Sequence, residues 1–164
     1  MRGMRLRLAF AAVLAALASV LVAPAAAHAA PDPLACSAIG SYSRVGSGDT
    51  FWLIGSADGY RYWQVADAVS NHYRRSYVVR CDGATIVSAA DLTVTSTSGA
   101  RCGTASDSTY QYAGTRMALA PLESFPGWVI ETDYRYWRVN RWVSFGWYGF
   151  WMYDHSELAA CLAP

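Results

Sequence analysis

The sequence predicts an all-β protein, built as small barrels or as a sandwich, and three observations support this fold class. Short segments rich in aromatic and β-branched residues recur about every ten residues, with Gly, Asp or Ser between them. Two of these segments, GYRYWQV at 59–65 and DYRYWRV at 133–139, are nearly identical and indicate an internal repeat. Four cysteines, an even number, are enough for two disulfide bonds.

Residues 1–29 have the pattern of a cleaved secretory signal peptide. Three arginines precede an apolar run over residues 8–22, and AHA at 27–29 fits the small-x-small cleavage rule. No later segment has the roughly 18 consecutive apolar residues that a transmembrane anchor needs. We therefore expect a secreted protein, extracellular or associated with the cell envelope, whose mature chain begins at residue 30.

The charge of the mature chain gives no reason to expect nucleic acid as a partner. All thirteen basic residues are arginine, a bias typical of GC-rich coding as in actinobacteria. Loss of the signal removes three of them and leaves ten arginines against twelve acids, a formal net charge of −2. A chain without an excess of positive charge does not attract a polyanion.

Eight segments are predicted to be strands because they are short, aromatic and β-branched, with turn residues at their ends. They are DTFWLIG (49–55), YRYWQV (60–65), RSYVVRC (75–81), ATIVSA (84–89), DLTVTST (91–97), GWVIET (127–132), YRYWRV (134–139) and GWYGFWMY (146–153). Only residues 62–73 have a passable helical period, and Ser70-Asn71 near their end argues against a long helix.

The order of cysteine, YRYW and cysteine recurs in both halves of the chain. Cys36 and Cys81 flank the first copy, and Cys102 and Cys161 flank the second. This recurrence favours disulfides Cys36–Cys81 and Cys102–Cys161, with a Cys81–Cys102 bridge inside one domain as the alternative. In an exported chain such bridges persist, and each would contribute on the order of 4 kcal/mol in the chain-entropy model.

Four short motifs follow one another in the second half of the chain. They are VT at 94–95 leading to RCG at 101–103, WRV at 137–139, GW at 146–147 and SEL at 156–158. In this order they resemble the bacterial Src-homology-three-like domain of exported, cell-wall-associated proteins. The resemblance covers residues 91–161, with a weaker copy at 36–81. It implies small half-open β-barrels that bind peptide or peptidoglycan groups, usually without catalysis.

The expected organisation is therefore two small disulfide-stapled half-open β-barrels in tandem. Residues 30–82 form the first repeat, 83–90 the connection and 91–164 the second repeat. One decorated β-barrel or sandwich that uses both halves is the alternative.

No nucleophilic or metal site is expected. If all four cysteines form disulfides, no thiol is left to act as a nucleophile. Asp154, His155 and Ser156 have the residue types of a catalytic triad, but consecutive strand residues point to opposite faces. His72 and His155 have no nearby set of metal ligands in the sequence, so no cofactor is expected.

Paired carboxylates give the main catalytic alternative. Glu123, Glu131, Asp133 and Asp154 lie among aromatic residues that are able to contact a sugar, as in a small glycosidase. Nothing in the sequence fixes the distances between them, and acidic residues beside strands are usually solvated turn residues.

The second half contains more aromatic residues than the core of a small barrel can hold. Eleven lie within residues 128–153, and both faces of the strand at 146–153 are apolar. Such a strand is either buried on both faces or has one core face and one exposed aromatic face. We favour the exposed face, because aromatic residues and Arg are enriched at contact surfaces. The predicted ligand-binding residues are Tyr62, Tyr136, Arg138, Arg141, Trp142, Trp147, Tyr148, Trp151 and Tyr153.

The repeated strand itself is predicted to have one core face and one outer face. In the first copy, Trp63 and Val65 share the core face, whereas Tyr62 and Gln64 lie on the other. The second copy repeats this division, with Trp137 on the core face.

These observations favour a secreted, non-catalytic binding module that recognises peptide, cell-wall glycopeptide or another secreted protein. A protein-binding adaptor or enzyme inhibitor fits the same features. A small secreted hydrolase is the third hypothesis, and it predicts that activity depends on Glu131 or His155.

Overall fold

The computed structural model describes residues 32–37, 39–122 and 124–162. The predicted signal peptide and Glu123 lie outside the described residues. Residues 31–164 belong to one compact unit, and the described part consists of nine strands in two sheets with two short 3-10 helices. The all-β prediction is confirmed.

The first sheet has five antiparallel strands in sequential order. They are β1 (Ser41–Ser43), β2 (Asp49–Ala57), β3 (Tyr60–Asp67), β4 (Tyr73–Asp82) and β5 (Thr85–Leu92), preceded by a 3-10 helix at Pro33–Cys36. The stretch with a helical period, 62–73, is instead the end of β3, a turn and the start of β4. Its polar residues explain the turn, since the Asp67 carboxylate accepts hydrogen bonds from the backbone N–H groups of Val69 and Ser70.

The second sheet has four strands in the order β6-β9-β8-β7, with β6 parallel to β9. They are β6 (Val94–Ser96), β7 (Tyr110–Pro121), β8 (Val129–Phe145) and β9 (Tyr148–Leu162), with a 3-10 helix at Gly99–Cys102. Residues 83–90, expected as a connection, are a turn and most of β5, because β5 pairs with β4 along its length. The chain passes between the sheets at Thr93. Both sheets are open in this strand order. One cluster of buried residues lies between them, and a second lies on the other face of the first sheet. The division into tandem half-open barrels or one sandwich stays a prediction.

A disulfide and a buried tryptophan close the face of the first sheet that carries Trp63 and Val65, which is the predicted core face. Cys36 is bonded to Cys81, and the Trp63 indole Nε1 donates to the Ala35 carbonyl oxygen at 3.1 Å. The Trp63 ring also packs edge-on against Tyr42, with 5.5 Å between ring centroids. A fully buried tryptophan thus fastens the first 3-10 helix to the sheet.

The second sheet repeats this arrangement on the face that carries Trp137. Cys102 is bonded to Cys161, and Trp137 Nε1 donates to the Arg101 carbonyl oxygen at 3.0 Å. Trp137 packs edge-on against Tyr112, with 5.4 Å between ring centroids. The disulfide pairing inferred from the repeat is confirmed, and each tryptophan donates to the residue that precedes a bridged cysteine.

The inner faces of the two sheets meet through a pair of reciprocal hydrogen bonds. Ser76 of the first sheet lies 2.6 Å from the Tyr136 hydroxyl, and Ser156 of the second lies 3.1 Å from the Tyr62 hydroxyl. Tyr62 and Tyr136 are completely buried and contact each other edge-on, with 6.4 Å between centroids. Each half therefore contributes the same two residue types to the interface.

Two stacked tyrosine pairs extend the same reciprocity. Tyr60 of the first sheet stacks on Tyr153 of the second, and Tyr134 of the second stacks on Tyr73 of the first. Both pairs have 4.0 Å between ring centroids. Reciprocal contact of equivalent residues is the signature of an isologous interface, here formed within one chain.

Close backbone approach between the sheets requires glycine at two equivalent positions. β2 and β7 each have a register shift, immediately before Gly55 and Gly114, which pair with Tyr62 and Tyr136. A Cβ on Gly114 would lie 2.7 Å from the Ile54 carbonyl oxygen, and one on Gly55 would collide with the carbonyl oxygen of Ala113. The absence of a side chain at both positions lets the two bulges touch.

The buried phenols predict a loss of stability at alkaline pH. Burial raises the pKa of Tyr62 to about 12, and it also raises that of Tyr134 to about 12. The folded state therefore binds the phenol protons more tightly than the unfolded state does. The contribution of these tyrosines to the free energy of unfolding is complete below the unfolded pKa of ~10. It is lost as pH rises from there to 12. Urea unfolding at pH 9, 10 and 11 should show a falling free energy of unfolding. A smaller fall is expected in Tyr62→Phe, and a flat profile to pH 11 would contradict the prediction.

Candidate functional site: an aromatic ribbon

The far ends of β8 and β9 form a two-stranded hairpin that continues past the rest of the second sheet. β7 pairs with β8 only between Val129 and Val139, whereas β9 pairs with β8 as far as Phe145. A register shift after Val139 marks the point where the hairpin leaves the sheet. We call residues 141–153 the aromatic ribbon.

The ribbon closes in a two-residue turn at Gly146-Trp147. Phe145 pairs with Tyr148, and Gly146 has a φ of +59°. Glycine at the first central position is typical of a type II′ hairpin turn, whose twist matches that of the strands. The sequence GW, which the family resemblance assigned to a conserved barrel motif, is thus the tip of the hairpin.

Large apolar side chains are exposed on both faces of the ribbon. Trp147 is fully exposed and Tyr148 is 72% exposed. The other exposed members are Trp142, Phe145, Phe150, Trp151 and Met152. The sequence had suggested either a strand buried on both faces or one with a single exposed face. Neither describes the ribbon, because no third strand or facing sheet covers it within the described residues.

The ribbon is held together by its own aromatic contacts. Trp142 and Trp151 pack edge-on with 5.4 Å between centroids, and Phe145 stacks on Phe150 at 6.0 Å. Gly149 lies beneath the Trp142 ring, where a Cβ would be 2.5 Å from Cζ2. These cross-strand contacts order the side chains, so the ribbon presents a defined surface.

Polar and charged residues gather at the base of the ribbon. Arg141 pairs with Asp154 at 3.4 Å, and His155 Nδ1 lies 2.8 Å from the Asp154 carboxylate. The other ring nitrogen of His155 lies 3.2 Å from Glu157, which accepts from Arg101 at 2.8 Å. The hydrogen bond with Asp154 raises the pKa of His155. Beyond this polar base, residues 142–153 carry no charged side chain.

Five of the nine predicted ligand-binding residues are exposed on the ribbon. They are Arg141, Trp142, Trp147, Tyr148 and Trp151. Tyr153, at the base, is half-buried because it stacks on Tyr60. Phe145, Phe150 and Met152 belong to the same surface and were not selected from the sequence. Phe150 and Met152 lie on the predicted strand that was recognised as apolar on both faces, and Phe145 lies just before it.

Three predicted ligand-binding residues do not belong to this surface. Tyr62 and Tyr136 are buried between the sheets, because the face expected to be outward packs against the other repeat. Arg138 is also buried and forms an ion pair with Asp58, in the turn between β2 and β3. Its guanidinium is engaged in joining the two halves and does not face a ligand on the ribbon.

The residues considered for nucleophilic catalysis are not assembled as a triad. His155 contacts two carboxylates, but the Ser156 hydroxyl instead bonds to the hydroxyls of Tyr62 and Tyr153, both at 3.1 Å. This division follows the alternation of side chains along β9, which directs neighbours to opposite faces.

Of the described carboxylates considered for glycoside hydrolysis, Glu131 and Asp133 lie two residues apart on β8, whereas Asp154 lies far from both along the sheet. Asp133 pairs with Cys161 in the register and its carboxylate contacts Arg135. Asp154 is seven residues from Cys161, or about 23 Å along the strand. Paired glycosidase carboxyl groups lie about 5–9.5 Å apart. The described residues contain no group of three or more His, Cys, Asp or Glu suited to a metal ion.

A search of protein-family models, curated proteins and solved structures finds no match to this chain. The Src-homology-three-like resemblance therefore stays a prediction. In the part of the chain that the structure describes, no helix has the length and hydropathy of a membrane span.

Proposed function

We propose that this protein is a secreted, non-catalytic binding module whose contact element is the aromatic ribbon. Its expected ligands are peptide, cell-wall glycopeptide or another secreted protein at the bacterial envelope. The observation that carries the proposal is the exposure of Trp147, Tyr148 and their neighbours on a hairpin that no described residue covers. Exposed aromatic clusters of this kind are costly in water and are typical of interaction sites.

The electrostatics of the ribbon support a contact made by apolar and hydrogen-bonding groups. Its tip carries no charge, and the one arginine of residues 141–153, Arg141, is paired with Asp154. Tyrosine and tryptophan provide large contact areas with few rotatable bonds, so little conformational entropy is lost on binding. Two disulfides and a shared core provide a stable scaffold for this element.

Substitution of tryptophans on the ribbon tests the proposal. Trp147→Ala and Trp151→Ala should each weaken binding to purified cell wall, or to a purified secreted partner, about tenfold or more, as expected for interface hot spots. Trp147→Ala should keep the unfolding midpoint of the wild type, because its side chain is fully exposed. Trp151 is 43% exposed and packs edge-on against Trp142, so Trp151→Ala should lower the midpoint slightly. Retention is measured by sedimentation with cell wall and by titration with the partner.

Trp128→Ala is the matched control. Trp128 is 70% exposed beside Phe125, next to the opposite end of β8. We expect this variant to bind as the wild type does. Equal loss in Trp128→Ala and Trp147→Ala would place the contact elsewhere, and catalytic turnover that depends on His155 or Glu131 would favour the hydrolase hypothesis.

A further inference from the structure

One edge of the ribbon is an open strand edge among the described residues. β7 begins at Tyr110, opposite Val139, so residues 140–145 of β8 have a strand partner only on the β9 side. No proline interrupts this edge, and its only charged residue is Arg141. Proteins usually protect an exposed edge with such residues, because its backbone groups are a template for another strand.

The register shows which backbone groups face outward. In a hairpin with a two-residue turn, the closing pair Phe145 and Tyr148 is hydrogen-bonded across the strands, and the pattern alternates from there. Val143 and Phe145 therefore direct their N–H and C=O groups toward β9. Trp142 and Ser144 direct theirs to the open edge.

The chain itself already makes the first hydrogen bond along this edge. The Asn140 backbone N–H donates to the Thr109 carbonyl oxygen at 2.7 Å, and the Asn140 side chain donates to the Ser108 carbonyl oxygen at 3.2 Å. The backbone of the bend at Ser108-Thr109, just before β7, thus lies beside β8 up to this point. An extended segment of a partner, placed beyond Thr109 along this edge, would meet the groups of Trp142 and Ser144 next.

The open edge favours a polypeptide over the other ligands that aromatic residues bind, namely lipids and glycans. A lipid interface would leave the outward N–H and C=O groups without partners at depth. A glycan does not carry amide groups at the spacing of a strand. A polypeptide strand satisfies these groups, and as a third strand it stabilises a hairpin that is marginal with two.

We propose that the aromatic ribbon binds an extended, uncharged segment of another secreted protein by strand addition along the β8 edge at Trp142–Ser144. The exposed rings on both faces of the ribbon then flank the side chains of the added strand, and the main chain supplies the hydrogen bonds. This inference rests on the proposed function, since it assigns the ligand class and the binding mode of the same surface.

The experiment uses linear 12-residue peptides displayed on phage and selected on the full mature protein. A selected peptide is synthesised and titrated against wild type, Ser144→Pro and Ser144→Ala. Proline at residue 144 removes the outward N–H but leaves every hydrogen bond of the hairpin intact. Proline is also tolerated on a solvent-facing edge. We expect Ser144→Pro to bind about tenfold more weakly or worse, and Ser144→Ala to bind within twofold of wild type.

A second measurement does not depend on a variant. The selected peptide is made in two forms, one methylated on the odd-numbered backbone nitrogens and one on the even-numbered ones. In an added strand, alternate N–H groups face the β8 edge, so one of the two forms should not bind to wild type. Hydrogen exchange of the Trp142 and Ser144 amides should slow in the complex.

Three results would overturn strand addition. The first is equal binding of the peptide by Ser144→Pro and wild type. The second is binding of both methylated peptides. The third is that no peptide is selected on the protein although it binds phosphatidylcholine–phosphatidylglycerol vesicles, peptidoglycan or a second copy of itself. Binding that is lost in Trp147→Ala but unchanged in Ser144→Pro would refute this inference alone. Binding unaffected by Trp147→Ala and Trp151→Ala would refute the proposed function.

Discussion

Reduction of both disulfide bonds is expected to unfold the protein at room temperature. The bridges Cys36–Cys81 and Cys102–Cys161 close loops with sequence separations of 45 and 59 residues. In the chain-entropy model, loops of this size contribute about 4 kcal/mol each. Their sum of about 8 kcal/mol is comparable with the whole free energy of unfolding of a typical domain, 5–15 kcal/mol.

Near-ultraviolet circular dichroism with and without a phosphine reductant measures this effect. The signal of the buried Trp63 and Trp137 rings should disappear on reduction, since each ring lies against a segment that a bridge holds in place. The paired variants Cys36→Ala/Cys81→Ala and Cys102→Ala/Cys161→Ala should each lose about half of the total effect. A reduced protein that keeps its signal and its melting temperature would show that the buried core suffices without the disulfides.

Replacement of Gly55 by alanine is expected to cost more than about 3 kcal/mol of stability, at the upper end of overpacking effects. The added methyl group would collide with the Ala113 carbonyl oxygen, which is backbone and cannot rotate away. Relief of that collision requires the two sheets to separate where Tyr62 and Tyr136 pack. The loss would then include part of the tyrosine contacts as well.

Gly40→Ala is the control for this substitution. A Cβ at Gly40 meets no atom within 4 Å, and the residue does not require a positive φ. Its effect on the free energy of unfolding in urea should stay within about 0.5 kcal/mol, as for ordinary surface substitutions. Similar values for Gly55→Ala and Gly40→Ala would mean that β2 and β7 do not approach closely in solution.

The repeated features of the fold were predictable because they depend on local order in the sequence. Cys36 and Cys81 lie on either side of Trp63, and the same order recurs in the second half. This recurrence was sufficient to predict both bridges. Strand alternation also separated Trp63 from Tyr62 correctly. These inferences needed only the period of a strand and the recurrence of the motif.

The exposure of each face was not predictable in the same way. Alternation shows that Tyr62 and Gln64 share a face, but the partner that buries this face lies in the other repeat, more than 50 residues along the chain. The assignment of Tyr62 and Tyr136 to a ligand surface was wrong for this reason. Exposure of the ribbon depends likewise on where β7 begins, and β7 was not among the predicted strands.

The two halves differ mainly in the length of one equivalent hairpin. Ala66 pairs with Tyr73 as Asn140 pairs with Tyr153, each pair directly after an equivalent bulge. The intervening segment is a short turn in the first half and the whole ribbon in the second. A homodimer of one such half would carry two identical hairpins. Because the two halves lie in one chain, one half has a tight turn while the other has the single long hairpin that we propose as the contact element.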